Sequence, residues 1–201
     1  ANLALKLSWT GVNELAGDEP FIVFWAPRPL GVLLAMLRAG NDPPVYYVVM
    51  HYWSSFTPLE TTWLRIPSAV FSATTVLPLF LLGQRLGGRK VAITASLLFT
   101  FSQHLYGFAH EVGAYALLVL ACTWAVWQLV RLSDGPERHP SLRPYSIGWL
   151  VAANVIAVWT HFSGWIMVGL ELVMVFTVPM LRPARAKMLA AAGLTLLTMI
   201  P

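Results

Sequence analysis

Lys and Arg residues occupy every second connection between the long apolar stretches of this chain, and that alternation constrains its fold more than any motif does. Five stretches approach the length of a membrane-crossing helix, at roughly 62–84, 91–108, 112–131, 146–160 and 164–181, and a sixth begins near 188. A crossing helix needs about 20 mostly apolar residues. The first connection carries Arg85, Arg89 and Lys90, the third carries Arg131, Arg138 and Arg143, and the fifth carries Arg182, Arg185 and Lys187. The connections around His104–Glu111 and Thr160–Ser163 carry no Lys or Arg. Basic residues collect in cytoplasmic loops of membrane proteins. The pattern therefore predicts the 85–90, 131–145 and 182–187 loops on the cytoplasmic side, with Asp18, Glu111 and His161 on the opposite face.

Composition agrees. The chain is 57% apolar and 11% charged, with a mean hydropathy of +0.66, whereas soluble domains are about a quarter charged. A net charge of +4, spread in short clusters with no continuous basic face, excludes a nucleic-acid partner. The expected fold is an all-α, polytopic transmembrane helix bundle forming a single domain over 1–201. The first helix is read as cut to its outer end, and a C-terminal part as missing.

Residues 9–61 are expected to form an outer segment. Phe21–Ala39 mixes apolar residues with Arg28 and Arg38 and is broken by Pro27 and Pro29, which suggests one or two amphipathic helices lying in the membrane interface. Pro44–Phe56 is apolar and aromatic but too short to cross, so a re-entrant or interfacial helix is expected there. The lone Cys122 has no partner for an intrachain disulfide.

Only nine acidic residues occur in 201, so their positions carry information. Asp18 and Glu19 stand ahead of the first interfacial helix, where they suit helix capping or a carboxylate base that accepts a hydroxyl proton. Glu111, after His110, offers the same two readings. Asn41 and Asp42, before Pro43-Pro44, suit a turn but belong to the same outer face. His51, Arg65, His104 and His161 lie near that face, and Arg28 and Arg38 could reach it, giving donors or cations for a lipid phosphate. The aromatic cluster Tyr46, Tyr47, Tyr52, Trp53 and Trp63 suits an interfacial belt or a groove for lipid or sugar. Glu171 is mid-way along an apolar helix, and a structural hydrogen bond to another helix is expected for it. His104, His110 and Glu111 do not match a metal pattern; a divalent metal is compatible with these residues, but nothing indicates one.

In order along the chain stand Asp18-Glu19-Pro20-Phe21, Asn41-Asp42-Pro43-Pro44-Val45-Tyr46-Tyr47 with His51 and Trp53, and Leu64-Arg65-Ile66-Pro67-Ser68-Ala69. Gly83-Gln84-Arg85-Leu86-Gly87-Gly88-Arg89, His110-Glu111 with Tyr115-Ala116-Leu117, and Thr160-His161-Phe162 follow. In these motifs the chain resembles the bacterial membrane glycosyltransferases of family 39, which use polyprenyl-phosphate sugars, have the GT-C fold and are related to protein O-mannosyltransferases and the lipid A aminoarabinose transferase. The resemblance implies that Asp18 is the catalytic acid of the first outer loop and Glu111 the second outer-loop acid. It also implies substrate contacts from Glu19, Arg28, Asn41, Asp42, Tyr46, His51, Arg65, His110, Tyr115 and His161. The expected activity is inverting transfer of a sugar from a polyprenyl-phosphate donor to an acceptor hydroxyl. The acceptor would be a lipid, glycan or protein, on the outer face of the cell inner membrane.

The chain departs from the family at Gly113, where Glu-Ala-Arg-x-Tyr-Ala becomes Glu111-Val112-Gly113-Ala114-Tyr115-Ala116, which removes a cation. Arg28, or an Arg outside this stretch, would have to take its role. Two other readings stay open: a transporter or flippase of a lipid-linked substrate, and a non-catalytic member of the family.

Overall fold

The computed structural model describes residues 2–8, 10–11, 14–133 and 146–199. Arg138, Arg143 and most of the polar connector expected after Ser133 lie outside the described residues. Among the described residues every regular element is helical. The order is α1 (Asn2–Leu7), α2 (Glu19–Trp25), α3 (Leu30–Gly40), α4 (Val45–Ser54), α5 (Thr61–Phe101), α6 (Gln103–Ala109), α7 (Tyr115–Ser133), α8 (Ser146–Thr160) and α9 (Ser163–Thr177). A 3₁₀ turn at Pro179–Ala184 and α10 (Arg185–Leu197) complete it.

Two helices, α5 and α7, are long and apolar enough to cross a membrane, and α9 with the helical segment Pro179–Leu197, bent from it by 110°, makes a third if the pair counts as one span. Against the five expected spans and a sixth, the described residues thus offer two or three helices of membrane length in an all-helical chain. The 15 residues of α8 reach only about 22 Å at 1.5 Å per residue, short of a hydrocarbon core of ~30 Å.

Gly88 turns α5 into two arms. Its φ of 79° and ψ of −176° lie in a region open essentially to glycine alone. The second arm folds back on the first so tightly that a Cβ on Gly83 would lie 2.8 Å from the Ala92 Cα. The expected span at 91–108 is corrected: it breaks at Ser102, whose backbone is extended (φ −65°, ψ 118°), and resumes as α6. The span expected at 164–181 stops at Thr177, where Val178 leaves the helical region.

The outer segment follows its prolines. Pro27 and Pro29 separate α2 from α3, and α3 ends at Asn41, which takes the left-handed conformation (φ 56°) that Asn tolerates better than most residues. α4 has ten residues, too few to cross. Buried Ile22, Ala26, Tyr46, Met50, Leu64, Val112 and Leu117 form one cluster that seats α2 and α4 on α5 and α7.

A second cluster runs along α7, α8, α9 and α10. Leu82, one turn before Arg85, packs against the group containing Leu129, Leu132, Leu181 and Ala184. Arg85 and Arg131 lie far along α5 and α7 from their starts at Thr61 and Tyr115, and Arg182–Lys187 follow the end of α9, so these basic residues stand away from the starts of all three helices. Arg185 donates to the Val175 and Phe176 carbonyl oxygens at 2.8 and 3.2 Å, completing the C-terminus of α9. Leu98 and Ile166 are 69% and 65% exposed, as side chains facing lipid would be. Within the bundle, the Asn154 Nδ2 donates to Glu171 Oε2 at 2.9 Å, the interhelical hydrogen bond expected for that acid.

Candidate functional site

The end of the bundle opposite the basic loops holds a cavity of about 370 Å³. Its wall brings together Asp18 from the start of α2, Asp42 and Pro43 from the α3–α4 turn, and Tyr46 and Tyr47 from α4. Glu111, Gly113 and Tyr115 come from the approach to α7, and Thr160, His161 and Phe162 from the α8–α9 turn. Six predicted site residues thus share one wall: Asp18, Asp42, Tyr46, Glu111, Tyr115 and His161. Asp18 occupies the N-cap position of α2, but its side chain makes no capping hydrogen bond. That leaves its carboxylate unspent on the helix.

The other six are placed elsewhere. Glu19 and Arg65, expected as substrate contacts, form a buried ion pair, each 2% exposed. Arg65 Nε donates to Glu19 Oε1 at 2.9 Å and Nη2 to Oε2 at 2.8 Å. The amides of Val112 and Ala16 donate to the same carboxylate at 2.7 and 2.9 Å. Arg65 also donates to the carbonyl oxygens of Thr10 and Glu14 at 3.0 and 3.1 Å. This clamp ties the outer segment to α5 and to the backbone beside Glu111.

His51 meets the Ala26 carbonyl oxygen at 2.8 Å and joins α4 to α2. His110 lies between the carbonyl oxygens of Tyr106 (3.0 Å) and Ser8 (2.7 Å). Asn41 forms the C-cap of α3. Arg28 is exposed and stacks on the Phe24 ring at 4.5 Å. None of these lines the cavity.

The electrostatics separate the acids. Burial alone would raise the Glu19 carboxyl. The Arg65 hydrogen bonds, the two amides and the Arg65 charge outweigh burial and hold it below its ordinary range. Burial pushes Glu111 above that range, the carboxylates of Glu19 and Asp18 push the same way, and Arg65 opposes them. The Tyr47 phenol is pushed up to about 12, by burial first and then by Asp42 and Asp18. Tyr46 is buried deepest, with its hydroxyl 2.9 Å from Ser68 Oγ, and burial raises it as well.

The Ser163 amide and the Ser163 hydroxyl both lie 3.1 Å from His161 Nδ1. Tyr115 lies between two rings, stacked on Phe108 at 5.0 Å and tilted to His161 at 5.2 Å. Beyond Phe108, an open recess of about 630 Å³ is lined by Gln103, His104, Gly107, Phe108 and Glu111, so Glu111 faces both spaces. Among the described residues, no group of three His, Cys, Asp or Glu side chains could hold a metal ion.

Sequence reasoning gave no role to Thr160 or to Ser68, the partner of Tyr46. Thr160 could have been noticed as a hydroxyl beside His161 in an outer connection free of Lys and Arg. Ser68 carries no such signal, because its meeting with Tyr46 depends on how α4 packs on α5.

A helical chain with membrane-length apolar helices and an acid-lined cavity opposite its basic end is the class that fold and site define. The chain is 31% identical over 170 residues to the dolichyl-monophosphooligosaccharide–protein glycotransferase AglB of Haloferax volcanii, an alignment that takes in 73% of this chain. The chain covers 16% of the length of that relative. No protein-family model matches it, and no solved structure does.

Proposed function

We propose that this chain carries the acidic site of an inverting membrane glycosyltransferase of the GT-C type, similar to family 39, that moves a sugar from a polyprenyl-phosphate donor to an acceptor hydroxyl. The observation that carries the reading is the meeting of Asp18 and Glu111 in one cavity from distant parts of the chain. The similarity to a glycotransferase whose name describes a dolichyl-linked donor and a protein acceptor supports it at the level of glycosyl transfer. The charge sorting supports an active site facing away from the cytoplasm, on the outer face of the inner membrane.

In this mechanism Asp18 accepts the proton of the acceptor hydroxyl as its oxygen bonds to the anomeric carbon. The bond from that carbon to the phosphate oxygen breaks from the opposite side, and the polyprenyl phosphate departs with the electron pair. One displacement inverts the centre. Phosphate is a good leaving group and needs no obligatory general acid. Glu111, which lines both the cavity and the adjoining recess, stands between the acceptor side and the phosphate side of the reaction. The phosphate occupies the recess beside Gln103 and His104, on the far side of Glu111 from the main cavity. The isoprenoid tail stays among the exposed apolar side chains. A transport reading needs polar groups along the depth of the bundle; the deep pair Asn154 and Glu171 bond to each other instead.

Transfer assayed with polyprenyl-phosphate sugars should fall by about 10²–10⁴ in Asp18→Asn, the usual worth of general-base catalysis, while the thermal unfolding midpoint stays unchanged. Retained transfer in that variant sinks the role of Asp18.

A further inference from the structure

Helix α4 carries three tyrosines, and their hydroxyls meet three different fates. Tyr46 faces α5: it is buried, and its hydroxyl lies 2.9 Å from Ser68 Oγ. Tyr52 stands on the outside, 54% exposed and edge-on to the His51 ring. Tyr47, one residue after Tyr46 and so about 100° further round the helix, lines the main cavity with Asp18 and Asp42.

The Tyr47 ring is held while its hydroxyl is free. The ring is half-buried against the cluster of Ile22, Tyr46 and Leu64, and meets the Phe21 ring edge-on at 6.3 Å. Among the described residues no hydrogen bond uses its hydroxyl, and, unlike the Thr160 hydroxyl, that oxygen is not sealed inside the protein. The carboxylates of Asp42 and Asp18 both act on the phenol, which turns it toward the wall that they share. Burial and these two charges push it up to about 12, so at neutral pH it keeps its proton and can donate.

The cavity needs such a donor. Asp18 as a base accepts a proton, and Asp42 accepts hydrogen bonds when ionised. A sugar hydroxyl offers lone pairs as well as a proton, and carboxylates satisfy only the proton. Hydrogen bonds to sugar hydroxyls also strengthen as the anomeric carbon gains positive character in the transition state.

We infer that Tyr47 is a further catalytic residue of this site, whose phenol donates a hydrogen bond to a ring hydroxyl of the transferred sugar. It holds the ring while the acceptor oxygen, relieved of its proton by Asp18, attacks. Tyr46, the expected substrate contact, instead serves the packing of α4 on α5. The inference rests on the glycosyl-transfer reading and adds to it the residue that holds the sugar.

The test is turnover by the full chain in nanodiscs, with polyprenyl-phosphate mannose, glucose and galactose and with singly deoxygenated forms of the best donor. Tyr47→Phe keeps the ring and its contact with Phe21 and removes only the hydroxyl. It should lower kcat about three- to tenfold, the worth of one neutral hydrogen bond, with less change in KM and none in the unfolding midpoint. One deoxy donor should lose the same factor with the parent and nothing further with Tyr47→Phe, the non-additivity of two groups in contact. Tyr46→Phe should instead lower the midpoint, because it takes a buried partner from Ser68, and its losses should add to those of every deoxy donor. An unchanged kcat in Tyr47→Phe, or losses that add with every deoxy donor, overturns the inference. A midpoint that falls as far as in Tyr46→Phe makes the Tyr47 hydroxyl structural and overturns it too. If Tyr47→Phe is fully active while Asp18→Asn is not, the reaction stands and this inference falls alone. If Asp18→Asn still transfers and the Tyr47 coupling is intact, the base is reassigned and the hydrogen bond stands. A parent that transfers none of the three sugars removes both.

Discussion

Asp18 and Glu19 are neighbours in the chain and opposites in the structure. Glu19 points into a buried clamp where its two oxygens receive Arg65 and two backbone amides. Asp18 lines a cavity and does not even cap the helix it precedes. The clamp is saturated, and its job is to hold the outer segment on α5 and α7. The cavity is unsaturated: three acidic side chains share its wall with no Lys or Arg among the described residues lining it, and the Thr160 hydroxyl is unpaired. The contrast separates an acid that folds the protein from one free to act on a ligand. It also links the two, because the amide that Glu19 holds belongs to Val112, next to Glu111.

The sharpest way to break this contrast is to remove one half of the clamp. Arg65→Met leaves the Glu19 carboxylate buried without its cation, and breaking a buried pair in this way costs about 3–5 kcal/mol. The unfolding midpoint in detergent or nanodiscs should drop accordingly, and limited proteolysis should cut the outer segment before the bundle. A variant as stable as the parent would mean that the clamp is not what holds the loop.

Acid should reach the same clamp without mutation. The folded-state pKa of Glu19 is lowered, so its contribution is full above the ordinary glutamate value of about 4.3 and is lost as pH falls through the lowered value. Stability should therefore decline below about pH 4. Glu19→Gln should start lower and lose that acid-sensitive component. An acid limb as steep in Glu19→Gln as in the parent would place the sensitive carboxylate elsewhere.

The helical class, the two-ended sorting of charge and the prolines that part α2 from α3 were legible because each depends on local sequence. The turn at Gly88 was legible as a basic connection, since Gly87-Gly88 stands among Arg85, Arg89 and Lys90. The break at Ser102 was not: the polar Ser102-Gln103-His104 interrupts the apolar stretch there, but no proline or glycine stands beside it. For the site, outer-face counting and the family motifs named the acids that meet in the cavity. They set Asp18 apart as the catalytic acid but made Glu19 a substrate contact, not the buried partner of Arg65, and they could not see that His51 and His110 are taken by the carbonyl oxygens of Ala26 and Ser8. Those partners lie 25 and 102 residues away, and such pairings follow from packing rather than from spacing.

The smallest effect tests the unsaturated side. Glu111 has a raised folded-state pKa, with Glu19 and Asp18 adding to the effect of burial. The linkage sign is opposite to that of Glu19: its favourable contribution is present below the ordinary carboxylate pKa and is lost as pH rises through the raised value. At neutral pH the ionised side chain is a mild liability, so Glu111→Gln should hold or raise the unfolding midpoint, by a degree or two. It should do so while reducing transfer. A neutral residue that keeps the shape and hydrogen-bonding capacity of glutamate removes repulsion among unspent charges; at Glu19 the same change removes an attraction. If Glu111→Gln destabilises the protein as much as Glu19→Gln does, both acids belong to the scaffold, and the division between clamp and cavity fails.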